Sequence, residues 1–147
     1  MNIFRKLKKY GVLGSIKKLA RKIRLKQIYE HYFKDKTGLE IGGPSLMFFN
    51  NGYMPIYKLA TVIDGVNFSS DTVWTGDMDP KNGYIINGKT GTLYISDATD
   101  LSMIPDNTYD FILSCNNIEH IANPMKALHQ WILKLICSNI CVKWWGG

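Results

Sequence analysis

TGLEIGGPS, residues 37–45, decides how the chain is read. An apolar run carries an acid, Glu40, and passes at once into Gly42, Gly43, Pro44 and Ser45. Such a run predicts a short buried strand that ends in a tight turn. Glycine has no Cβ, so another group can lie directly against the backbone there. The stretch therefore predicts a strand tip that something approaches closely.

Working outward, the pattern repeats. KLATVID (58–64) predicts a second strand ending in an acid, Asp64. TLYIS (92–96) predicts a third, followed by Asp97, and TYDFILS (108–114) a fourth. SLMFFNNGYMPIY (45–57) reads as a helical turn or loop, punctuated by Gly52 and Pro55. DPKNGYIINGKTG (79–91) predicts one or two tight hairpin turns built on Asn-Gly pairs. ANPMKALHQWILKLI (122–136) predicts an amphipathic helix with Pro124 in its first turn. Its apolar face is expected to be Met125, Leu128, Trp131, Ile132 and Leu135. SNICVKWW (138–145) is a candidate fifth strand. Strands alternating with helices or long crossovers imply an α/β fold with a mostly parallel sheet. Ligands of such sheets bind outside the carboxyl ends of the strands. Glu40 with its glycines, Asp64, Asp97, and Ser114 through Asn117 all fall at those predicted ends.

Composition bounds the rest. At 147 residues, 46% of them apolar, the chain can bury a core and is not disordered throughout. Three cysteines (Cys115, Cys137 and Cys141) form no disulfide framework and point to reduced thiols in a cytoplasmic protein. Cys137 and Cys141 have no histidine or second cysteine pair beside them, so no metal site is expected. No apolar run reaches the roughly 18 residues of a membrane span, and lysines interrupt every apolar stretch near the N-terminus, unlike a signal peptide.

The formal net charge of +6 is unevenly spread. Residues 1–36 hold 12 Lys/Arg against 2 Asp/Glu, a local +10. Residues 37–147 hold 6 against 10, a local −4. The chain thus reads as a basic helical arm, 1–36, followed by a mildly acidic body, 37–147. Ile16, Leu19, Ile23 and Leu25 recur near helical spacing in the arm, with Lys17, Lys18, Arg21, Lys22 and Lys26 between them. Gly11 and Gly14 predict a break between two helical pieces. Three readings stand: a solvated helix packed through its stripe, an interfacial helix drawn to anionic lipid, or a nucleic-acid arm. The last lacks a second basic patch in the body.

Each candidate site residue has two readings. Gly42 and Gly43 form an ordinary turn or a place for a ligand against the backbone; no G-x-x-x-x-G-K-[ST] or full G-x-G-x-x-G is present. Asp64 initiates a loop or accepts hydrogen bonds from vicinal ribose hydroxyls. Asp97 makes an Asx turn or takes an exocyclic amine, with the Ala98 N–H beside it. His120 is a helix N-terminal histidine bonded to a carbonyl, or a general base. Asp106, Asn107 and Asp110 shape the turn before the fourth strand.

The joint pattern is more specific. LEIGGPS, then VIDGVNFS, then ISDATDLSMIPDNTYDFILSCNNIEHIANPMKAL resembles the class I S-adenosylmethionine-dependent methyltransferases over about residues 37–136. The resemblance implies a Rossmann-like, doubly wound sheet, S-adenosyl-L-methionine as cofactor, and a small-molecule acceptor; the basic arm and the short polar loops are compatible with a glycan acceptor by analogy. It places Glu40, Gly42 and Gly43 under the methionine part, Asp64 at the ribose, and Asp97 with Ala98 at the adenine. Ser114 and Asn116 would line the cofactor, and Glu119 and His120 would stand near the transfer point. The family's further glycine is replaced by Pro44 and Ser45. ILKLICSNICVKWWGG departs from the family's continuation and reads as a truncated or frame-shifted tail, which implies a sheet incomplete at its C-terminal side. The alternatives are a non-catalytic remnant acting at membranes or on partners through its basic arm, and a nicotinamide-dependent Rossmann enzyme.

Overall fold

The computed structural model describes residues 3–72, 76–77 and 80–136. The chain divides into two compact units between Tyr32 and Phe33. The first unit is a single helix, α1 (Ile3–Phe33), which closes at the boundary. The break expected at Gly11 and Gly14 is absent; the helix runs through both. Each glycine costs about 1 kcal/mol against alanine, but lysine, arginine and leucine around them are good helix formers. The chain leaves the helix through Asp35, whose φ of 59° is left-handed.

The second unit is an α/β body around a four-stranded parallel sheet. Its strands are β1 (Thr37–Ile41), β2 (Val62–Asn67), β7 (Leu93–Ile95) and β8 (Phe111–Ser114). Between the second and third of these lie four short strands: β3 (Asp71–Thr72), β4 (Gly76–Asp77), β5 (Tyr84–Ile86) and β6 (Lys89–Gly91). The sheet order is β7-β2-β1-β8, every pair parallel. β1 is central and buried from its second residue onward, as a two-sided parallel strand should be. The chain builds outward from β1 on one side, then crosses back to its other side.

The predicted hairpin is present once. β5 and β6 pair antiparallel around Asn87-Gly88, with φ of 52° and 74°, the left-handed pair of a type I′ turn. Asn82-Gly83 instead closes a 3-10 turn (Pro80–Asn82) leading into β5. A second 3-10 turn covers Leu46–Phe48 in the segment read as a helical turn or loop.

Side chains alternate across the sheet into two cores. One face carries Ile63, Phe111 and Leu113 under Phe48, Tyr57, Tyr84 and Ile86. The other carries Leu39, Ile41 and Val66 under Leu101, Ile104, Tyr109, Ala127 and Trp131. A doubly wound sheet is expected to have helices on both faces. Here loops, 3-10 turns and the β5–β6 hairpin cover the first face, and α2 (Pro124–Lys134) packs on the second.

α2 forms where predicted. The Asn123 side chain caps it by accepting from Lys126 N at 3.0 Å, and Pro124 sits in the first turn. Its buried residues are Ala127, Trp131 and Lys134; of the predicted stripe, Trp131 and Leu135 are buried and Leu128 packs against the same core. Met125 and Ile132 are exposed instead. The register follows from Trp131, whose Nε1 donates to Ala98 O at 3.0 Å and turns the ring inward. Lys134 is buried up to its ammonium, which meets Asp106 Oδ1 at 2.6 Å. The candidate fifth strand, Cys137 and Cys141 lie outside the described residues.

Candidate functional site

The carboxyl tip of β1 meets the expectation of a close approach, but from within the protein. Gly42 N donates to Val66 O at 2.8 Å, carrying the ladder one residue further. Gly42 then turns with a φ of 74°, which favours glycine. A Cβ on Gly42 would stand 2.7 Å from the Asn117 side chain. A Cβ on Gly43 would stand 2.2 Å from the Glu40 carboxyl and 2.3 Å from the Tyr84 hydroxyl. The two glycines therefore make room for Asn117, Glu40 and Tyr84.

Glu40 is fully buried. Its Oε2 accepts from Tyr57 Oη at 2.7 Å and Tyr84 Oη at 2.9 Å, and its Oε1 accepts from Ser45 N at 3.1 Å. Burial pushes its carboxyl above the usual carboxylate range, against these three donors. Burial and the neighbouring Glu40 also push both tyrosines well above the ordinary phenol range, so they stay donors. Glu40 thus fastens the β1–turn junction to the β5 strand and to the loop carrying Tyr57. It is enclosed by side chains rather than turned toward a ligand.

Asp64 does not end β2. The strand runs on to Asn67, and Asp64 is its third residue, level with Leu39 in the middle of β1. The cause is Gly65-Val66-Asn67, which continues the ladder because the Tyr84 ring packs over Gly65 in place of a side chain. Asp64 Oδ1 accepts from Thr92 N at 2.7 Å and its Oδ2 from Tyr109 Oη at 2.6 Å. Burial and that carboxylate hold the Tyr109 phenol above its ordinary range. Alternation puts Asp64 on the Tyr109 face and Glu40 on the Tyr84 face, so the two acids project from opposite sides of the sheet.

The residue at the tip of β2 is Asn67. It is buried, and its Nδ2 donates to Gly43 O at 3.0 Å, tying the β2 tip to the glycine turn. Asp97 follows β7 on an exposed loop, where its Oδ1 accepts from Thr99 N at 2.7 Å in an Asx turn. That bond holds its carboxyl below the usual range. Ala98 is half-buried beside it and takes the Trp131 indole on its carbonyl.

Past the central tip, Ser114 ends β8 level with Ile41. Its hydroxyl is buried and has no hydrogen-bond partner among the described residues. Asn116 is exposed with a left-handed φ of 51°. Asn117 reaches back over Gly42, its Nδ2 3.5 Å from Ile41 O. His120 is exposed and ends the 3-10 turn Ile118–His120, its N–H donating to Asn117 O. Cys115 sits 4.0 Å from the Met47 sulfur, and burial pushes its thiol upward.

The structure therefore gathers Gly42, Gly43 and Ser114 at one level of neighbouring strands. It adds Asn67, which the sequence reading does not single out, and brings Asn117, the end of the Ser114–Asn117 cluster, over Gly42. It leaves Glu40 and Asp64 apart. A small cavity lined by Tyr57, Ala60, Val62, Ile63, Ile86 and Lys89 begins at the first residue of β2, away from the carboxyl tips.

As a test of fit to a nucleoside sulfonium, the groups divide. The exposed Asp97 carboxylate, the unpartnered Ser114 hydroxyl and the left-handed Gly42 turn suit a polar ligand at the tips. Glu40 and Asp64 do not, because both oxygens of each carboxylate already accept from protein donors. Asn67 carried a signal in VIDGVNFS, a polar residue two after a glycine in an apolar strand, and Tyr84 carried one as an aromatic next to Asn-Gly. Comparison with protein-family models, with curated proteins and with solved structures finds no match to this chain.

Proposed function

We propose that the body is the cofactor-binding domain of an S-adenosylmethionine-dependent methyltransferase with a Rossmann-like sheet. One observation carries the reading. The strand order reverses between β1 and β8, and the left-handed Gly42 turn stands at the tip of β1, beside that reversal. A parallel sheet opens a crevice for a nucleotide at such a switch point.

In this reading Glu40 and Asp64 serve the scaffold. The ligand side comprises the backbone at Gly42 and Gly43, the Asp97 carboxylate with the Ala98 N–H, the Ser114 hydroxyl, and the Asn116 and Asn117 amides. Asp97 would accept from an exocyclic amine, and Ser114 would satisfy its buried hydroxyl on the ligand. When bound, the cofactor supplies a methyl group already activated by its sulfonium. The chain's part is to position donor and acceptor and exclude water. His120, exposed beside Asn117, is the residue that would take the proton of a hydroxyl acceptor. A small-molecule acceptor follows the resemblance, and a glycan acceptor follows the basic arm and the short polar loops by analogy.

Titration calorimetry of the full chain with S-adenosylhomocysteine tests the proposal. Binding is expected, and Asp97→Ala is expected to weaken it by roughly 10- to 100-fold, the range for a hydrogen bond to a charged group. A folded sample that takes up no ligand would overturn it. A second reading, that the body binds no cofactor, is favoured by the side chains of Asn117 and Tyr84 filling the space at both glycines. The same titration separates the two.

A further inference from the structure

Ile16, Leu19 and Ile23 share one side of α1, and each keeps more than half of its surface exposed: 58%, 60% and 51%. At about 100° per residue, this stripe lies opposite the side holding Leu25, Ile28 and Tyr32, which are half-buried. The apolar side thus changes over near Leu25. From residue 16 to residue 32 the helix has no single apolar face, but residues 16–24 have a sharp one. Five of those nine residues are Lys or Arg and none is acidic. Lys22 and Arg24 stand about a quarter turn to either side of the stripe.

The occupant of this face must offer an apolar layer bordered by anions. A second copy of the helix would bring the apolar stripe but the same positive charge, which repels. Nucleic acid offers anions without an apolar layer. A bilayer surface with anionic headgroups offers both, and lysine and arginine stems can lie along the apolar side while their charges reach the headgroups. We propose that residues 16–24 seat α1 in the interface of membranes bearing anionic lipids. Ile16, Leu19 and Ile23 dip below the headgroups, and Lys22 and Arg24 pair with them. This does not depend on the cofactor reading, which concerns the other unit.

The test is cosedimentation of the full chain with phosphatidylcholine vesicles, with and without phosphatidylserine, at low and high salt. Binding is expected with phosphatidylserine only, and is expected to fall as salt rises. Lys22→Gln/Arg24→Gln should weaken it by about 30-fold. Leu19→Gln/Ile23→Gln leaves the charge unchanged and should weaken it by about tenfold or more, with helix content by circular dichroism retained in both. Absence of binding to phosphatidylserine vesicles, or equal binding to phosphatidylcholine alone, overturns the proposal. So does a Leu19→Gln/Ile23→Gln variant that binds as the parent does, since the contact would then be electrostatic only, as with nucleic acid.

Discussion

Replacing Glu40 probes the junction on which the strand tips rest. Glu40→Gln keeps the shape and one carbonyl acceptor, but sets an amide against two hydroxyl donors. Tyr57 has a second acceptor in Ser45 O at 3.3 Å and can turn to it. Tyr84 gives its proton to Glu40. The cost at acid pH is therefore that of one weakened hydrogen bond, about 1 kcal/mol. Glu40→Leu leaves the buried Tyr84 hydroxyl stranded and should cost about 1–3 kcal/mol at acid pH.

The pH dependence is sharper. The folded pKa of Glu40 is raised by burial above its unfolded value of 4.5. The folded state then holds the proton more tightly than the unfolded chain. That stabilisation is complete below 4.5 and is lost as pH rises through the folded pKa, at up to about 1.4 kcal/mol per pH unit. The Glu40→Gln variant, whose amide does not titrate, has no such loss. Urea unfolding of both proteins from about pH 4 to about pH 9, followed by tryptophan fluorescence, should show the parent's advantage shrinking with pH and then levelling off. Asp97 and Asp100, whose carboxyls are held low, lose their stabilisation as pH falls; this is common to both proteins and cancels in the difference. A difference that stays constant across the range, or widens with pH, would refute the account of Glu40 as a carboxyl enclosed at a cost.

Two further substitutions test the packing around the same elements. Gly43→Ala would put a methyl group 2.2 Å from the Glu40 carboxyl and 2.3 Å from the Tyr84 hydroxyl, so a loss of about 1–3 kcal/mol is expected in urea unfolding. A loss below a few tenths of a kcal/mol would show that the junction yields easily. Lys134 is buried and Asp106 is half exposed, so Asp106→Ala, which leaves an ammonium enclosed without its carboxylate, should destabilise more than Lys134→Met, which removes the charge and keeps the stem. Thermal melts of the two variants give the order directly, and the reverse order would mean that the ammonium reaches water.

The parallel sheet was legible because each strand is a short apolar run between turn residues, and α2 was legible from Pro124 and its periodicity. What misled was the point at which a strand stops. VID looks like an end because aspartate follows two β-branched residues, yet pairing runs on through Gly65, Val66 and Asn67. Propensity alone could not reveal this, since Gly65 is accommodated by the ring of Tyr84, nineteen residues later in the chain. The same limit applies to α1: glycine lowers helix propensity locally, but the surrounding lysines, arginines and leucines carry the helix through. The arrangement of Asn117 over Gly42 depends on the crossover from β7 to β8 and leaves no trace in local sequence.

The glycine pair and the acid of TGLEIGGPS turn out to belong to one mechanical unit. Glu40 needs the second glycine because the Tyr84 hydroxyl arrives through the space a Cβ would occupy. Asn67 then locks the carbonyl of that glycine from the neighbouring strand. The turn is thereby fixed from the Tyr84 face of β1 and from β2 before any ligand is present. A rigid turn of this kind suits a site that must hold a cofactor in one orientation, since little ordering remains for binding to impose. In the proposed reading, the charge that would meet a ligand at the tips comes from Asp97 rather than from the two acids nearest the turn. The effect of Asp97→Ala on ligand binding, set against that of Glu40→Gln on stability, therefore separates the part of the strand ends that recognises from the part that supports.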